Sequence, residues 1–74
     1  MDPIISLQIQ ILKAQLEVCH FQDIAFAREY EASSTNEQKE QIAIRWDWVM
    51  KKMRSLQSEV ELLETLGMTS ARLN

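Results

Sequence analysis

Apolar residues recur at helical spacing along two separate faces of the first thirty residues. Steps of three and four are typical of one face of an α-helix. At about 100° per residue, the centres of the two series lie roughly 150° apart. Stripe A comprises Ile4, Leu7, Ile11, Ala14, Val18, Phe21 and Ala25. Stripe B comprises Ile5, Ile9, Leu12, Leu16, Cys19, Phe26 and Tyr30, and Asp23 interrupts it. A helix with apolar side chains on two nearly opposite sides requires two neighbours.

The second half of the chain has one strong apolar series and one weaker one. The strong series, stripe C, comprises Ile42, Trp46, Val49, Met53, Leu56, Val60 and Leu63. The weaker series, the outer patch, comprises Ile44, Trp48, Leu62 and Leu66. Stripe C can cover only one of the two stripes of the first helix. The sequence therefore predicts a surplus apolar stripe, which points to a second polypeptide.

Capping signals set the boundaries of two predicted helices, over residues 3–32 and about 35–66. Asp2 is suited to an N-cap with Pro3 at the first helical position. Between the helices, small polar residues at 32–36 favour a turn, and either Ser34 with Glu37 or Thr35 with Gln38 has capping-box spacing. Gly67 is expected to end the second helix in a left-handed conformation. These signals predict an all-α fold, an antiparallel two-helix hairpin that forms a single domain over 1–66 and is followed by a short tail over 67–74.

Register does not choose the stripe that faces stripe C, because both fit within one residue. Stripe B would set Asp23 against Trp46, which would bury a carboxylate with no obvious partner at a cost of several kcal/mol. Stripe A is wholly apolar, and its alanines face large residues such as Met53. We therefore predict that stripes A and C form the hairpin core. Stripe B, Asp23 and Trp48 then form the predicted partner-binding surface, where Asp23 could fix the register with the partner.

Length, charge and composition narrow the class of protein. A core built from 74 residues supplies little stability, and one cysteine and one histidine exclude an internal disulfide and disfavour a closed structural zinc site. Oligomerisation is the remaining means of stabilisation. The free cysteine, the lack of a signal-peptide pattern and the lack of a long apolar run predict a soluble, cytoplasmic protein without membrane insertion. The net charge of −3 and the scattered basic residues disfavour nucleic acid as a partner.

No group of residues has the pattern of a catalytic, cofactor or metal site. Cys19 and His20 are adjacent, so on a helix they point about 100° apart and cannot form a thiolate–imidazole pair. His20 with Glu17 or Asp23 could supply half a metal site at most. The single glycine excludes a glycine-rich phosphate loop. A two-helix hairpin also offers no water-excluding pocket, and we therefore expect neither enzymatic activity nor a cofactor.

The chain resembles the small E-type co-chaperones of bacterial type III secretion systems. The resemblance covers residues 3–66 and rests on size, acidity, the hairpin pattern and the surplus apolar stripe. It implies a virulence-associated chaperone that pairs with a helical-repeat co-chaperone and helps to keep the needle subunit soluble. Stripe B would be the docking surface. Trp46 and Trp48 correspond to no known feature of that family.

Three function classes remain open from the residues themselves. The first is an adaptor whose surplus stripe is covered by another helical protein. The second is a homo-oligomer, for example a four-helix bundle made of two hairpins, with a structural or regulatory role. The third, an RNA-binding hairpin dimer, is the least favoured because no basic face is present. The interruption at Asp23 and the irregular outer patch slightly favour a foreign partner over self-association.

Overall fold

The computed structural model of this protein describes the backbone of residues 2–73 and the side chains of residues 2–67. It contains two α-helices, α1 (Pro3–Ala32) and α2 (Asn36–Leu73). The helices pack against each other in antiparallel order, since Asp23 contacts Trp46 whereas Lys13 contacts Glu64. The hairpin measures 59 × 14 × 13 Å along its principal axes. The predicted all-α, two-helix hairpin is confirmed.

Helix α1 begins at the predicted cap. Asp2 Oδ1 accepts a hydrogen bond of 2.8 Å from the backbone N–H of Ile4, and Asp2 O accepts one of 3.0 Å from Ser6 N. Pro3 occupies the first turn, where a backbone N–H has no helical acceptor. The side chain of Asp2 therefore satisfies a donor that the helix itself cannot satisfy.

The turn between the helices uses one of the two predicted capping pairs. Gln38 N donates to Thr35 Oγ1 at 3.2 Å, and Gln38 Oε1 accepts from Ser34 N at 3.4 Å. The return hydrogen bond thus goes to the residue before the cap, so the motif is a variant of the capping box. At the end of α1, Ser33 Oγ donates to Glu29 O at 2.7 Å. Thr35 with Gln38 therefore starts α2.

The predicted end of α2 is wrong. The helix continues through Gly67 to Leu73, and no glycine in the described part of the chain has a positive φ. A glycine ends a helix only when it takes the left-handed conformation, and in a helix interior it costs about 1 kcal/mol relative to alanine. Gly67 lies four residues after Leu63, continues the inward face of α2 and is buried. Most of the predicted tail over 67–74 is therefore helical, and Asn74 lies outside the described residues.

The core forms between stripes B and C. Cys19, Val49 and Leu56 are buried at its centre, and Leu12, Leu16, Phe26 and Met53 pack around them. Ile9 and Val60 are also buried, nearer the open end of the hairpin. All of the residues on α1 in this core belong to stripe B.

The prediction that stripe A lies in the core is therefore wrong. Its members Ile4, Leu7, Ile11, Val18 and Phe21 are between half and two-thirds exposed, and Ala14 and Ala25 are exposed as well. Stripe C does face inward: Val49, Leu56 and Val60 are buried, and Ile42, Trp46, Met53 and Leu63 are half-buried. Helix α1 therefore faces α2 with stripe B, whereas stripe A was expected to do so. The physical reason lies in the contact between Asp23 and Trp46.

Candidate interaction surface

A hydrogen bond joins the two polar groups that meet when stripe B faces stripe C. Trp46 Nε1 donates to Asp23 Oδ1 at 2.7 Å in a partly buried position. The Tyr30 ring lies 6.0 Å from the Trp46 ring at an interplanar angle of 56°, and Lys39 Nζ lies 5.5 Å from the centre of the Tyr30 ring. The carboxylate that was expected to lack a partner is therefore paired. The indole N–H that would otherwise be without an acceptor is satisfied by the same contact.

Stripe A consequently lies on the outside of α1. Ile4 and Phe21 are about two-thirds exposed, at 68% and 67%, and the other large members are at least half exposed. From Ile4 to Ala25 the stripe extends for roughly 32 Å at 1.5 Å per residue. A medium or large apolar side chain gains about 1.5–3 kcal/mol on full burial. Stripe A is therefore the largest apolar surface that the described residues leave uncovered on α1.

The outer patch of α2 is exposed as predicted from its position away from stripe C. Ile44, Trp48, Leu62 and Leu66 are each at least half exposed. Lys52, one helical turn after Trp48, places its Nζ 5.2 Å from the centre of the indole ring. Such a cation–π contact at an exposed site contributes about 0.5–1 kcal/mol. It positions Trp48 and leaves 62% of the residue accessible.

Two open grooves lie where the helices meet. Groove 1 has a volume of about 370 Å³, and its lining residues are Gln8, Ile11, Leu12, Glu59, Leu62 and Leu63. Groove 2 has a volume of about 390 Å³, and its lining residues are Gln22, Phe26, Ile44, Arg45, Trp48 and Val49. Each groove is thus bounded by stripe B residues at its floor and by outer-patch residues at its edge.

Both grooves open on the same face of the hairpin. Ile44 and Leu62 are eighteen residues apart, which is five full helical turns, so they project in the same direction. Ile11 and Gln22 differ by eleven residues, which leaves them about 20° apart. We call this side the groove face. It joins the adjacent edge of stripe A to the outer patch across the line where the helices meet.

The opposite face is more polar. Lys13 Nζ and Glu64 Oε1 lie 3.5 Å apart there, with both side chains about half exposed. A further depression of about 230 Å³ lies near the turn, beside Tyr30 and Lys39. Exposed ion pairs of this kind contribute little to stability. This face is more polar than the groove face, although the exposed Ile24 lies on the same side of α1.

Most of the residues predicted to bind a partner are located inside the hairpin. Ile9 and Cys19 are buried, and Ile5, Leu12, Leu16 and Phe26 are half-buried against α2. Asp23 bonds to Trp46, and Tyr30 lies at the turn end with 37% exposure. Of the predicted set, only Trp48 has both large size and high exposure. In place of the other predicted binding residues, the structure exposes stripe A. The exposure of stripe A could have been predicted from the indole N–H of Trp46, which requires an acceptor such as Asp23.

The same geometry bears on the chemistry of the chain. Cys19 is 2% exposed, whereas the adjacent His20 is exposed, so the two side chains occupy different environments. Within residues 2–67, no three His, Cys, Asp or Glu side chains come close enough to hold a metal ion. Neither helix, over the described residues, contains a stretch long and apolar enough to cross a membrane.

Comparison of the chain with protein-family models, with curated proteins and with solved structures finds no match.

Proposed function

We propose that this chain is a non-catalytic adaptor of the co-chaperone type, which binds a helical partner protein along stripe A. The observation that supports the proposal is the exposure of stripe A after stripe B has been used for the hairpin core. Stripe A contains five medium or large apolar residues at helical spacing. An apolar strip of that extent is a typical protein-binding surface.

The shape of stripe A favours a helix as the docking element. The stripe runs along one uninterrupted helix, so an amphipathic helix with apolar residues at i, i+3, i+4 and i+7 can lie beside it over several turns. The partner would cover stripe A of α1, just as α2 covers stripe B. Helix α1 would then be the central element of a bundle of three or more helices, with both of its stripes covered.

The resemblance to the E-type co-chaperones of type III secretion supplies a candidate for the partner. In that family, a small hairpin pairs with a helical-repeat co-chaperone, and together they keep the needle subunit soluble in the cytoplasm. Under this proposal the partner contacts stripe A, whereas the sequence placed it on stripe B. The size of the chain, its two-helix form and its surplus apolar stripe support this part of the proposal.

The test is capture of a stoichiometric partner from the native cell, followed by reconstitution. The tagged wild-type chain, Phe21→Ser and the control His20→Ser would be expressed at equal levels. His20 is an exposed polar residue outside both stripes, and it projects about 100° away from Phe21. Proteins recovered with the wild type would be identified and co-expressed with each variant. We expect a defined complex with the wild type and with His20→Ser, and at least roughly tenfold weaker binding with Phe21→Ser.

Equal binding by Phe21→Ser and by Leu7→Ser would contradict the assignment of stripe A. Recovery of the chain without any stoichiometric partner would contradict the adaptor role. The secretion assignment is tested separately, by co-expression with a helical-repeat co-chaperone and a needle subunit from the same cell. If the reconstituted partner is a different protein, the secretion assignment is wrong while the adaptor role is retained.

A second function class is favoured by a different observation. The groove face carries both an exposed aromatic side chain and an apolar groove of suitable size, which is the arrangement expected of a self-associating surface. A homo-oligomeric hairpin with a structural or regulatory role is therefore the alternative. The two classes share the edge of stripe A beside groove 1, where Ile11 lies, but two residues distinguish them: Phe21 lies in stripe A away from the groove face, and Trp48 belongs to the outer patch.

A further inference from the structure

Trp48 is the largest apolar side chain that the hairpin leaves exposed on the groove face. It is 62% exposed, and the ammonium group of Lys52 lies 5.2 Å from the centre of its ring. Tryptophan side chains that become buried in an interface are frequent hot spots, because each can bury about 150–250 Å² of surface. The cation–π contact places the ammonium group over one face of the ring and leaves the rest of the side chain accessible.

Groove 1 offers a matching receptor on the same face. It is lined by the side chains of Ile11, Leu12, Leu62 and Leu63, with Glu59 at its edge. Its volume of about 370 Å³ falls in the range of about 300–1,000 Å³ that is typical of pockets holding a ligand. Trp48 cannot reach groove 1 of its own chain, because thirteen residues of helix, roughly 20 Å, separate it from Glu61 at the level of that groove.

We infer that the groove face binds a second copy of this chain in antiparallel orientation, with Trp48 of each copy in groove 1 of the other. A two-fold axis between the two faces, crossing α2 near Arg54 and Ser55, brings each Trp48 opposite groove 1 of the other copy. The contact is isologous and closes on itself, so it forms a dimer and does not extend into a fibre. The product is an antiparallel four-helix arrangement.

The charges on the groove face are complementary under the same axis. Lys52 lies two or three residues before the axis and Glu59 lies four or five residues after it. Each Lys52 therefore lies within about two residues, roughly 3 Å along the helix, of the level of Glu59 in the other copy. On the helical projection the two residues lie about 20° apart, and both point towards the groove face. Antiparallel pairing thus forms two equivalent Lys–Glu contacts. Parallel pairing would set like charges side by side, which is unfavourable.

The size of the face is sufficient for a stable dimer. A surface of 59 × 14 Å projects an area of roughly 800 Å², which is about the area that each partner buries in a standard interface. Ser55 lies at the two-fold axis, where a small side chain allows the two α2 helices to approach closely. The self-association surface therefore combines an aromatic anchor, a receptor groove, charge pairing and adequate area.

This inference does not depend on the proposed adaptor function. Phe21 projects about 80° away from Ile11, towards the back of α1, so a partner on stripe A and a second copy on the groove face meet mainly at Ile4, Ile11 and Val18. A dimer would partly cover these residues and would compete with the partner for them. Binding of the partner protein should accordingly weaken dimerisation, and dimerisation should weaken binding of the partner protein.

The first test is the molar mass of the purified chain, measured by sedimentation equilibrium over a hundredfold concentration range. We expect a monomer–dimer equilibrium, an increase in the dissociation constant of about 30-fold for Trp48→Ala, and little change for Ile24→Ala. Ile24 is an exposed apolar residue on the opposite side of α1 and serves as the matched control. Circular dichroism verifies that each variant retains its helices, which is expected because Trp48 and Ile24 contribute little to the core.

Charge reversal tests the antiparallel register. Lys52→Glu and Glu59→Lys should each weaken the dimer, because each sets like charges opposite one another across the axis. The double variant should recover most of the wild-type affinity, since it restores both pairs with the signs exchanged. Failure of the double variant to recover affinity would overturn the Lys52–Glu59 contact and with it the proposed register.

Cysteine cross-linking tests the position of the axis. Ser55→Cys should form an intermolecular disulfide under mild oxidation, because the two copies of residue 55 lie beside the axis. Gln57→Cys projects about 160° away and should stay reduced under the same conditions. The native Cys19 is buried and does not compete.

Three outcomes would overturn the inference: a chain that is monomeric at every concentration, a dimer unaffected by Trp48→Ala, or equal cross-linking at positions 55 and 57. A dimer that is lost with Phe21→Ser but kept with Trp48→Ala would show that stripe A pairs with itself. That result would also remove the basis for the adaptor proposal, whereas a monomeric chain that still binds its partner would leave the proposal intact.

Discussion

Trp46 Nε1 donates a hydrogen bond of 2.7 Å to Oδ1 of Asp23, and this bond joins the two helices near the turn end of the hairpin. The two residues are 23 positions apart in sequence. Each would be costly to bury alone, because the carboxylate and the indole N–H both require a hydrogen-bonding partner. Together they form a polar contact at one end of an otherwise apolar interior. That contact is made with stripe B facing α2, the rotation of α1 in which stripe A remains exposed.

Replacing Trp46 by phenylalanine should destabilise the hairpin by about 1–3 kcal/mol. The substitution keeps an aromatic ring beside Tyr30 but removes the donor, which leaves the partly buried carboxylate of Asp23 without its partner. Urea unfolding followed by circular dichroism measures the change in the free energy of unfolding.

The control is a double-mutant cycle with Asp23→Leu. The double variant Asp23→Leu with Trp46→Phe should be more stable than the sum of the single effects predicts, because it removes both members of the pair. Strict additivity of the two single changes would show that the hydrogen bond contributes nothing to stability.

Two isoleucines that are two residues apart provide a matched test of the stripe assignment. Ile9 is 7% exposed in stripe B, whereas Ile11 is 50% exposed in stripe A. Ile9→Val should lower the free energy of unfolding by about 0.5–1.5 kcal/mol, the usual cost of removing one buried methylene. Ile11→Val should change it by less than about 0.5 kcal/mol.

The comparison is made at a protein concentration low enough to keep the chain monomeric, since self-association would bury Ile11. If Ile11→Val proves more destabilising than Ile9→Val in the monomer, stripe A and not stripe B faces α2. Both substitutions preserve the β-branched shape, so differences in helix propensity are small.

The thiol of Cys19 should react slowly with iodoacetamide in the folded protein. It is 2% exposed at the centre of the core, between Val49 and Leu56, so the reagent reaches it only when the hairpin opens. The rate of alkylation, followed by mass spectrometry, should rise steeply through the urea unfolding transition. A rate in native buffer equal to that in urea would contradict the burial of stripe B.

Loss of the cap at the start of α2 should have a measurable cost. Thr35→Ala removes the hydroxyl that accepts from Gln38 N at 3.2 Å, and such substitutions cost about 0.5–2 kcal/mol. Thr35→Ser keeps the hydroxyl and should stay within about 0.5 kcal/mol of the wild type. Thermal unfolding of the two variants checks the prediction, and equal melting temperatures would mean that the cap is not used.

The sequence alone determined the two helices, the start of α1 and their antiparallel order, and it narrowed the start of α2 to two neighbouring capping pairs. Asp2 and Thr35 act locally, since a cap needs only a side-chain oxygen within three residues of an unpaired N–H. The identity of stripe C was also readable, because its spacing matches the helical period. Gly67 misled the prediction because its effect is not local. A glycine ends a helix only if the chain beyond it leaves the helical conformation, and residues farther along influence whether it does.

The tertiary structure decided which stripe of α1 was buried. Both stripes have helical spacing and both fit the register of α2. Stripe B offers the larger apolar area, since stripe A contains two alanines, but Asp23 within stripe B needs a hydrogen-bond partner inside the hairpin. That partner is Trp46 Nε1, which meets Asp23 Oδ1 only when the helices are packed, because a hydrogen bond depends on distance and direction. Because those two quantities exist only in the folded hairpin, the exposed surface could be assigned only from the structure.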